Sequence, residues 1–335
     1  MPTNPIPSAS IVTWQEALIQ AVRDPSELLE LLELPKSLLP QAQAADRLFE
    51  LKVPRSFIKR MKKGDVNDPL LRQVLPLGHE LIETDGFSHD PLAEAQSNHT
   101  KGMVHKYQGR VLLVVAPNCA VNCRYCFRRH FPYQDNNPSR QQWQAVFEQI
   151  ASDSSIAEVI FSGGDPLASP DRQLQWMVEQ LAQIPHLKRL RVHTRLPIVI
   201  PQRITESTLQ WLTGSRLKPV MVIHSNHSNE LNGEVASALA QLQEHKVMLL
   251  NQAVLLKGVN DQLETQIALS ERLFELDVLP YYLHLLDKVQ GTAHFDLAER
   301  EALALHQQMQ ANLPGFLVPK LVREEAGESQ KTLIW

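Results

Sequence analysis

All three cysteines of the chain lie in one short segment, NCAVNCRYC, with the spacing C-x3-C-x2-C. They are Cys119, Cys123 and Cys126, and the 335 residues contain no others. Thiolates at this spacing bind one metal centre if the backbone forms a tight loop, and thiolate ligation selects zinc, Cu(I) or an iron–sulfur cluster. A structural zinc would need a fourth ligand, for which His130 is the nearest candidate. A [4Fe–4S] cluster on three cysteines leaves one iron open to an exogenous ligand, and the pattern favours this interpretation over zinc or three inert buried thiols.

Composition and charge predict a globular protein that binds neither nucleic acid nor membrane. Hydrophobic residues make up 43% of the chain, charged residues 21%, and the net charge is −4, so no basic face is indicated. The N-terminal MPTNPIPSAS lacks the charged and apolar stretches of a signal peptide, and the longest apolar runs are too short to span a bilayer. Clustered cysteines without a signal sequence argue against a disulfide framework. We therefore expect a cytoplasmic protein with reduced thiols, and the sequence leaves its oligomeric state open.

Strand and helix patterns alternate from Arg110 onward, at intervals of about 30 residues that are typical of βαβ units. Six apolar or β-branched runs read as strands: Val111–Ala116, Glu158–Phe161, Leu190–His193, Val220–His224, Val247–Ala253 and Val278–Leu283. Six units are fewer than the eight of a closed barrel. They predict an α/β fold, a partial (βα)6 TIM-like barrel, with a doubly wound flat sheet as the alternative. We expect residues 1–102 to form a helical N-terminal region, residues 103–300 the barrel, and residues 301–335 a C-terminal segment.

Polar residues stand at the end of every predicted strand. The cysteines follow the first strand, and SGGDP, at Ser162–Pro166, follows the second. The other strands end in or carry HTR at His193–Arg195, HSNHSNE at His224–Glu230, NQAVLL at Asn251–Leu256 and HLLDK at His284–Lys288. Loops after the carboxyl ends of parallel strands meet at one face of the sheet. The sequence therefore predicts a single site at the mouth of the barrel.

The cysteine spacing, with Tyr125 before the last cysteine, resembles the signature of the radical S-adenosylmethionine superfamily. In that superfamily the open iron binds S-adenosylmethionine, which is cleaved to a 5′-deoxyadenosyl radical that takes a hydrogen atom from the substrate. The resemblance implies a [4Fe–4S] cluster on the three cysteines. It also implies that Ser162, Gly163, Gly164 and Asp165 form the glycine-rich segment that contacts the cofactor. Taken alone, SGGDP is an ordinary strand-to-helix turn.

Longer segments resemble the lysine 2,3-aminomutase family within this superfamily. They are HKYQGRVLLVVAPNCAVNCRYCFRRHF, FSGGDPL, NQAVLLKGVND and PYYLHLLDKVQGTAHF, and the resemblance runs from about residue 105 to residue 332. The N-terminal segments VPRSFIKRM and NDPLLRQVLP resemble the branch that serves elongation factor P. The resemblance implies conversion of (S)-α-lysine to (R)-β-lysine with pyridoxal 5′-phosphate (PLP) as a further cofactor. It also implies an electron donor, and a functional link to elongation factor P and its lysyl ligase.

The family pattern implies which lysine carries PLP as a Schiff base. The family places this lysine a fixed distance after a segment that begins here at Gly315, in GFLVPK, and the count falls on Lys331. The glycine run that precedes the lysine in the family is reduced here to Gly327. Lys320, which has apolar residues on both sides, is the competing candidate. Either lysine could instead be a solvated surface charge.

The resemblance assigns the remaining contacts. It implies that Arg128 binds the substrate carboxylate, for which a guanidinium fork is suited, and that Asp287 and Glu324 bind the substrate ε-ammonium. Glu324 stands where the family often has Asp. Five further residues are implied to contact cofactors: Lys106, Tyr107 and Arg110 near the PLP phosphate, and His224 and Gln252. The plainer alternatives are surface ion pairs, charged side chains that extend along a sheet edge, and a structural histidine.

Two other functions remain open at this point. A metabolic L-lysine 2,3-aminomutase that acts on free lysine would share these residues, but such enzymes tend to carry further C-terminal cysteines that this sequence lacks. A non-catalytic iron–sulfur or zinc protein would explain the cysteines alone. It would leave the polar strand ends and the PLP lysine without a role.

Overall fold

The computed structural model describes residues 12–93, 100–131 and 138–335. Within these residues, nine strands form one sheet in chain order: β1 Met103–Tyr107, β2 Arg110–Ala116, β3 Glu158–Gly163, β4 Arg189–Thr194, β5 Lys218–Ile223, β6 Met248–Val254, β7 Leu279–His284, β8 Lys320–Arg323 and β9 Thr332–Leu333. Strands β2 to β8 are parallel, while β1 and β9 are antiparallel to their neighbours at the two edges. The six predicted strands correspond to β2–β7, and the α/β partial barrel is confirmed.

Helices follow the parallel strands and cover the outside of the sheet. The α-helices of the described residues are α1 Trp14–Ile19, α2 Pro25–Leu31, α3 Leu39–Asp46, α4 Arg55–Ile58, α5 Arg140–Ser152, α6 Asp171–Ala182, α7 Leu196–Val199, α8 Glu206–Thr213, α9 Gly233–Glu244, α10 Leu263–Glu275 and α11 Glu299–Asn312. Helix α6 shows why they pack there. Its buried residues Leu174, Met177, Val178 and Leu181 recur at the helical period and form one apolar stripe. Burying each such side chain contributes roughly 1.5–3 kcal/mol.

The N-terminal residues pack on the barrel through a shared core. Thr13 and Glu16 form a capping box at the start of α1. Leu28 and Phe57 from this region belong to the same apolar cluster as Phe161 of β3. The described part of this region contains the four short helices α1–α4, and the division of the chain into three segments stays a prediction. Within the described residues, no helix is both long and apolar enough to span a bilayer.

The two edges of the sheet approach each other through side chains. Lys106 Nζ, on β1, lies 3.7 Å from an oxygen of Glu324, the residue directly after β8. Because β1 and β8 lie seven places apart in the strand order, this contact requires a curved sheet. A flat doubly wound sheet would hold these strands far apart. The barrel interior is therefore enclosed on this side by charged residues.

Candidate active site

The cysteine loop follows β2 and is held in place by the N-terminal region. The three thiols are free and half-buried. The amide of Asn122 donates to the carbonyl of Lys52 at 3.0 Å, and the amide of Arg124 donates to the carbonyl of Gln73 at 2.9 Å. The Lys52 ammonium donates to the carbonyl of Cys119. Within the loop, the amide of Cys126 donates to the carbonyl of Cys123 at 3.0 Å. The loop therefore has a fixed path although it contains no regular element.

The surroundings of the thiols fit an iron–sulfur cluster. Burial raises the pKa of Cys126 to about 12, with the neighbouring Cys123 thiolate as the next cause. Burial also raises the pKa of Cys119 well above its ordinary value, again with the other two cysteines adding to the effect. Thiolates in this position therefore need a bound cation. In the described parts of the chain, no three His, Cys, Asp or Glu side chains are grouped closely enough to hold one ion. A four-iron cluster binds each cysteine through a different iron, so it does not require such a group.

The glycine segment packs directly against the cysteine loop. Gly163 has φ +114°, and a Cβ there would lie 2.9 Å from the carbonyl oxygen of Ala116. A Cβ on Gly164 would lie 2.7 Å from the carbonyl carbon of Asn118. The amide of Gly164 donates to the carbonyl of Ala116, and the amide of Asp165 to the carbonyl of Asn118, both at 2.8 Å. Only glycine permits this approach of two backbones.

Gly164→Ala is expected to push the glycine segment away from the cysteine loop. The added Cβ meets backbone atoms of Asn118, which cannot turn aside as a flexible side chain would. Overpacking of this kind costs about 1–3 kcal/mol. We expect the free energy of unfolding to fall by that amount in denaturant titrations, and the reconstituted variant to retain less iron. Gly233→Ala is the matched control, because a Cβ there meets nothing within 4 Å. Equal stability of the two variants would contradict the packing described here.

Asp165 organises the loop from within. Its Oδ1 accepts bonds from the Leu167 amide at 3.0 Å and the Thr194 hydroxyl at 2.6 Å. Its Oδ2 accepts bonds from the amides of Arg195 at 2.7 Å and Leu196 at 3.1 Å. The carboxylate thus ties the loop after β3 to the loop after β4. A direct contact of this carboxylate with S-adenosylmethionine stays a prediction.

Arg128 lies over the glycine segment. Its side chain is buried, and Nη1 donates to Ser162 Oγ at 3.4 Å and to the carbonyl of Gly163 at 3.3 Å. The guanidinium carbon lies 4.8 Å from the Phe127 ring centroid and 5.8 Å from that of Phe131. The structure therefore brings together the predicted carboxylate-binding arginine and the predicted cofactor-binding segment.

Among the buried polar atoms that have no hydrogen-bond partner in the described residues are three histidine nitrogens and one glutamine oxygen along the central strands. They are His193 Nε2, His224 Nε2, Gln252 Oε1 and His284 Nε2. The rings of His193 and His224 lie 5.9 Å apart, edge to face. Buried polar groups are ordinarily paired, and each unpaired one costs about 1–3 kcal/mol. This set fits a polar ligand bound inside the barrel, and it includes the two predicted cofactor contacts His224 and Gln252.

The buried His224 is expected to make stability depend on pH. Burial first, and then the charges of Arg195 and Lys331, lower the pKa of His224 to about 4. The unfolded chain takes up the proton near pH 6.5 and the folded protein only near pH 4, so stability is lost as the pH falls through this window. The loss attributable to His224 amounts to at most about 3 kcal/mol. Denaturant titrations of the apoprotein at pH 7 and pH 4.5 should show a smaller loss for His224→Gln. An equal loss in the variant and the wild type would overturn this assignment.

The predicted PLP lysine and substrate acid form one charged cluster. Lys331 Nζ donates to Glu324 Oε2, and the same carboxylate faces Lys106. Burial alone raises the pKa of Glu324, but the Lys331 ammonium, followed by Lys106, outweighs burial and lowers the pKa to about 2. Lys331 Nζ lies 5.8 Å from the Tyr282 ring centroid. Burial and the Glu324 charge raise the pKa of Tyr107, so its hydroxyl keeps its proton and remains a donor.

The remaining predicted residues lie on β2, on β8 and in the loop after β7. The Arg110 guanidinium carbon lies 4.6 Å from the Tyr107 ring centroid, at the hairpin between β1 and β2. Asp287 is half-buried in the loop after β7. Lys320 is an exposed residue of β8, whereas Lys331 is half-buried and paired with Glu324. This difference favours Lys331 over Lys320.

Comparisons with known proteins identify the family of the chain. A model of the radical SAM superfamily matches residues 113–265. The L-lysine 2,3-aminomutase of Haemophilus influenzae is 50% identical over 320 residues, which cover 96% of this chain and 95% of that protein. The enzyme of the same name from Escherichia coli is also 50% identical, over 95% of this chain and 93% of its own length. The one from Buchnera aphidicola is 44% identical over 96% and 95%. This chain belongs to the L-lysine 2,3-aminomutase family.

Members of the L-lysine 2,3-aminomutase family are radical SAM isomerases, so the chain is an enzyme and the non-catalytic alternative is wrong. The family implies a [4Fe–4S] cluster, S-adenosylmethionine and PLP. The chemistry of the residues present fits these groups: three half-buried thiols, a glycine segment packed against their loop, and a half-buried lysine beside a tyrosine. When bound, the groups supply a radical that takes hydrogen from carbon and a π-system that accepts electrons.

Several residues of this aminomutase site were not predicted from the sequence. Arg195, Gln73 and Glu230 form a buried hydrogen-bond network beside Cys123. His284 is buried at the end of β7, and burial followed by the Lys331 charge lowers its pKa well below the ordinary value. The strand-end segments HTR and HLLDK were signals for Arg195 and His284. Nothing in the local sequence pointed to Gln73.

Proposed function

We propose that this protein converts (S)-α-lysine to (R)-β-lysine for the modification of elongation factor P. The observation that carries the proposal is the Lys331–Glu324–Lys106 cluster at the barrel mouth. In it the predicted PLP lysine is already paired with the acid predicted to bind the substrate ammonium. Glu324 pairs with the ε-ammonium of Lys331, so it is also complementary to the ε-ammonium of a free lysine substrate.

The charges at the two ends of the site match the two ends of lysine. Arg128 would provide a guanidinium for the carboxylate, while Glu324 and Asp287 would provide negative charge for the ammonium. Burial lowers the pKa of His193, and the charges of Lys331 and Arg128 both add to this effect after Arg191 and His224. Both ends of the proposed site therefore act on the same buried side chain. The separation of a cation from an acid selects an amino acid with a terminal ammonium over one with an apolar side chain.

The residues of the chain then act by binding, orientation and exclusion of water. If Lys331 held PLP through its amine, it would no longer be an ammonium paired with Glu324, and Glu324 would be left to bind the substrate ammonium. Lys106 stays close enough to keep the Glu324 carboxylate charged. Lys106, Tyr107 and Arg110 offer two cations and a protonated hydroxyl to the PLP phosphate. His193, His224 and His284 stay neutral at pH 7, because burial lowers the pKa of each. They can therefore bind polar ligands without adding charge.

The link to elongation factor P rests on the resemblance of the N-terminal segments VPRSFIKRM and NDPLLRQVLP. The alternative is a metabolic enzyme whose β-lysine is not transferred to protein. The test is to express the chain in cells that lack their own β-lysine source but contain elongation factor P and its lysyl ligase. Elongation factor P is then purified and hydrolysed, and its β-lysine is quantified by chiral chromatography, since α- and β-lysine have equal mass. We expect β-lysine with the wild type and none with Lys331→Ala. Free β-lysine in the cells without β-lysine in elongation factor P would support the metabolic alternative.

A further inference from the structure

Arg195 follows β4 and lies almost wholly buried beside the cysteine loop. Its side chain is 6% exposed. Nη1 donates to Cys123 Sγ at 2.8 Å and to Tyr125 Oη at 2.7 Å. The guanidinium lies close to two aromatic rings, with its carbon 5.4 Å from the Phe57 centroid and 5.7 Å from that of Tyr125. A buried cation is thus directed at one of the three sulfur atoms that hold the cluster.

The other edge of the guanidinium is fixed by groups from two parts of the chain. Nη2 donates to Gln73 Oε1 at 2.7 Å and to Glu230 Oε2 at 3.1 Å. Gln73 Nε2 in turn donates to Glu230 Oε1 at 3.1 Å, and both of these residues are fully buried. The amide of Arg195 donates to Asp165 at 2.7 Å, so the backbone is held as well. The orientation of the guanidinium towards Cys123 is therefore determined from several directions.

We propose that Arg195 is a positioning residue for the iron–sulfur cluster, which fixes Cys123 and raises the reduction potential of the cluster through its N–H···S bond. Reduction adds negative charge to the cluster and its sulfur atoms. A donor that carries positive charge stabilises the reduced form more than the oxidised one, and hydrogen bonds to ligating sulfurs are known to set such potentials. Glu230 opposes this effect because its carboxylate neutralises part of the same charge. The inference concerns the cluster alone and holds whether or not lysine is the substrate.

The geometry requires an arginine. One terminal nitrogen of the planar guanidinium donates to the Cys123 sulfur and the Tyr125 hydroxyl. The other donates to Gln73 and Glu230. A lysine ammonium is a single point charge and cannot span both edges. Removing Arg195 alone would leave Glu230 buried without its cation, which is strongly destabilising. The charge-neutral pair Arg195→Gln with Glu230→Gln avoids this problem.

The test is the midpoint potential of the reconstituted cluster, followed by electron paramagnetic resonance during an anaerobic redox titration without substrate. For the Arg195→Gln/Glu230→Gln variant we expect a roughly tenfold lower ratio of reduced to oxidised cluster at a given potential, which corresponds to a midpoint about 59 mV more negative. Glu230→Gln alone should shift the midpoint in the positive direction, because the Arg195 charge is then less neutralised. Arg60→Gln is the matched control: Arg60 is a half-buried arginine that donates to the carbonyl of Glu230, and its other bonds within the described residues go to the carbonyls of Ser56 and Ile198.

The variants separate a positioning role from a merely structural one. Opposite shifts of the single and double variants, with an unchanged Arg60→Gln, support the proposal. A double variant that melts like the wild type but no longer retains iron also supports it, provided that Arg60→Gln retains its iron. Equal midpoints in the wild type and the double variant, or shifts of the two variants in the same direction, would overturn it.

Discussion

Replacing Lys331 with Ala is expected to abolish PLP binding through lysine and to reduce lysine isomerisation by at least about 100-fold. Lys331 is half-buried, donates to Glu324 and lies 5.8 Å from the Tyr282 ring centroid, so its amine is inside the charged cluster. A loss of this size follows from misplacing a reacting group by about 1 Å, and removing the group is a larger change. The measurements are the visible absorbance of lysine-bound PLP and the rate of β-lysine formation.

Lys320→Ala is the matched control for this variant. Lys320 is the competing candidate from the sequence, and in the structure it is an exposed residue at the start of β8. Borohydride reduction of the PLP-loaded wild type, followed by proteolysis and mass spectrometry, identifies the modified lysine directly. Modification of Lys320, or normal PLP absorbance in the Lys331 variant, would show that the lysine assignment is wrong.

Arg128→Gln is expected to weaken use of lysine strongly while the fold is retained. The substitution removes the cation predicted to pair with the substrate carboxylate. Loss of one partner of a buried charge pair costs about 2–5 kcal/mol, which corresponds to a decrease in kcat/KM of about 30-fold to several thousand-fold. We expect most of the decrease to appear in KM. The protein bonds of Arg128 to Ser162 and Gly163 are long, at 3.4 and 3.3 Å, so their loss should change stability little.

A comparison of substrates sharpens the test of Arg128. The amide of lysine has no carboxylate, so the wild-type enzyme should use it as poorly as the variant does, and the variant should not discriminate between lysine and its amide. Arg140→Gln serves as the control, because Arg140 is an exposed residue at the start of α5. A variant that lost kcat with unchanged KM would assign Arg128 to a different step.

The parts of the fold that could be predicted are the elements with a periodic pattern of apolar residues in the local sequence. The six strands β2–β7 were found because each is an apolar run with a helix after it. Strand β8 was missed because it has only four residues, directly after Pro319, and it becomes a strand by pairing with β7. Strand β9 has two residues and is defined only by its pairing with β8. Strands of this length are specified by tertiary contacts and carry no periodic signal.

The same distinction between local and long-range information applies to the site. The cysteines and the glycine segment were predicted because their chemistry or backbone geometry depends on neighbours in sequence. The Arg195 network was not, because Gln73 and Arg195 lie 122 positions apart and meet only in the folded chain. The pairing of Glu324 with Lys331 was not foreseen either, although both residues were assigned roles. A family resemblance predicts the role of a residue. Which side chain it pairs with in the free enzyme depends on how the folded chain packs around it.

We propose that the cluster, Lys331 and the charges around it form one lysine-isomerising site. The most direct measurement is anaerobic incubation of the cluster-loaded enzyme with S-adenosylmethionine, PLP, a reductant and (S)-α-lysine, followed by chiral chromatography of the products. We expect (R)-β-lysine from the wild type, little from Arg128→Gln and none from Lys331→Ala. Absence of β-lysine from wild-type enzyme that retains its iron and cleaves S-adenosylmethionine would contradict it.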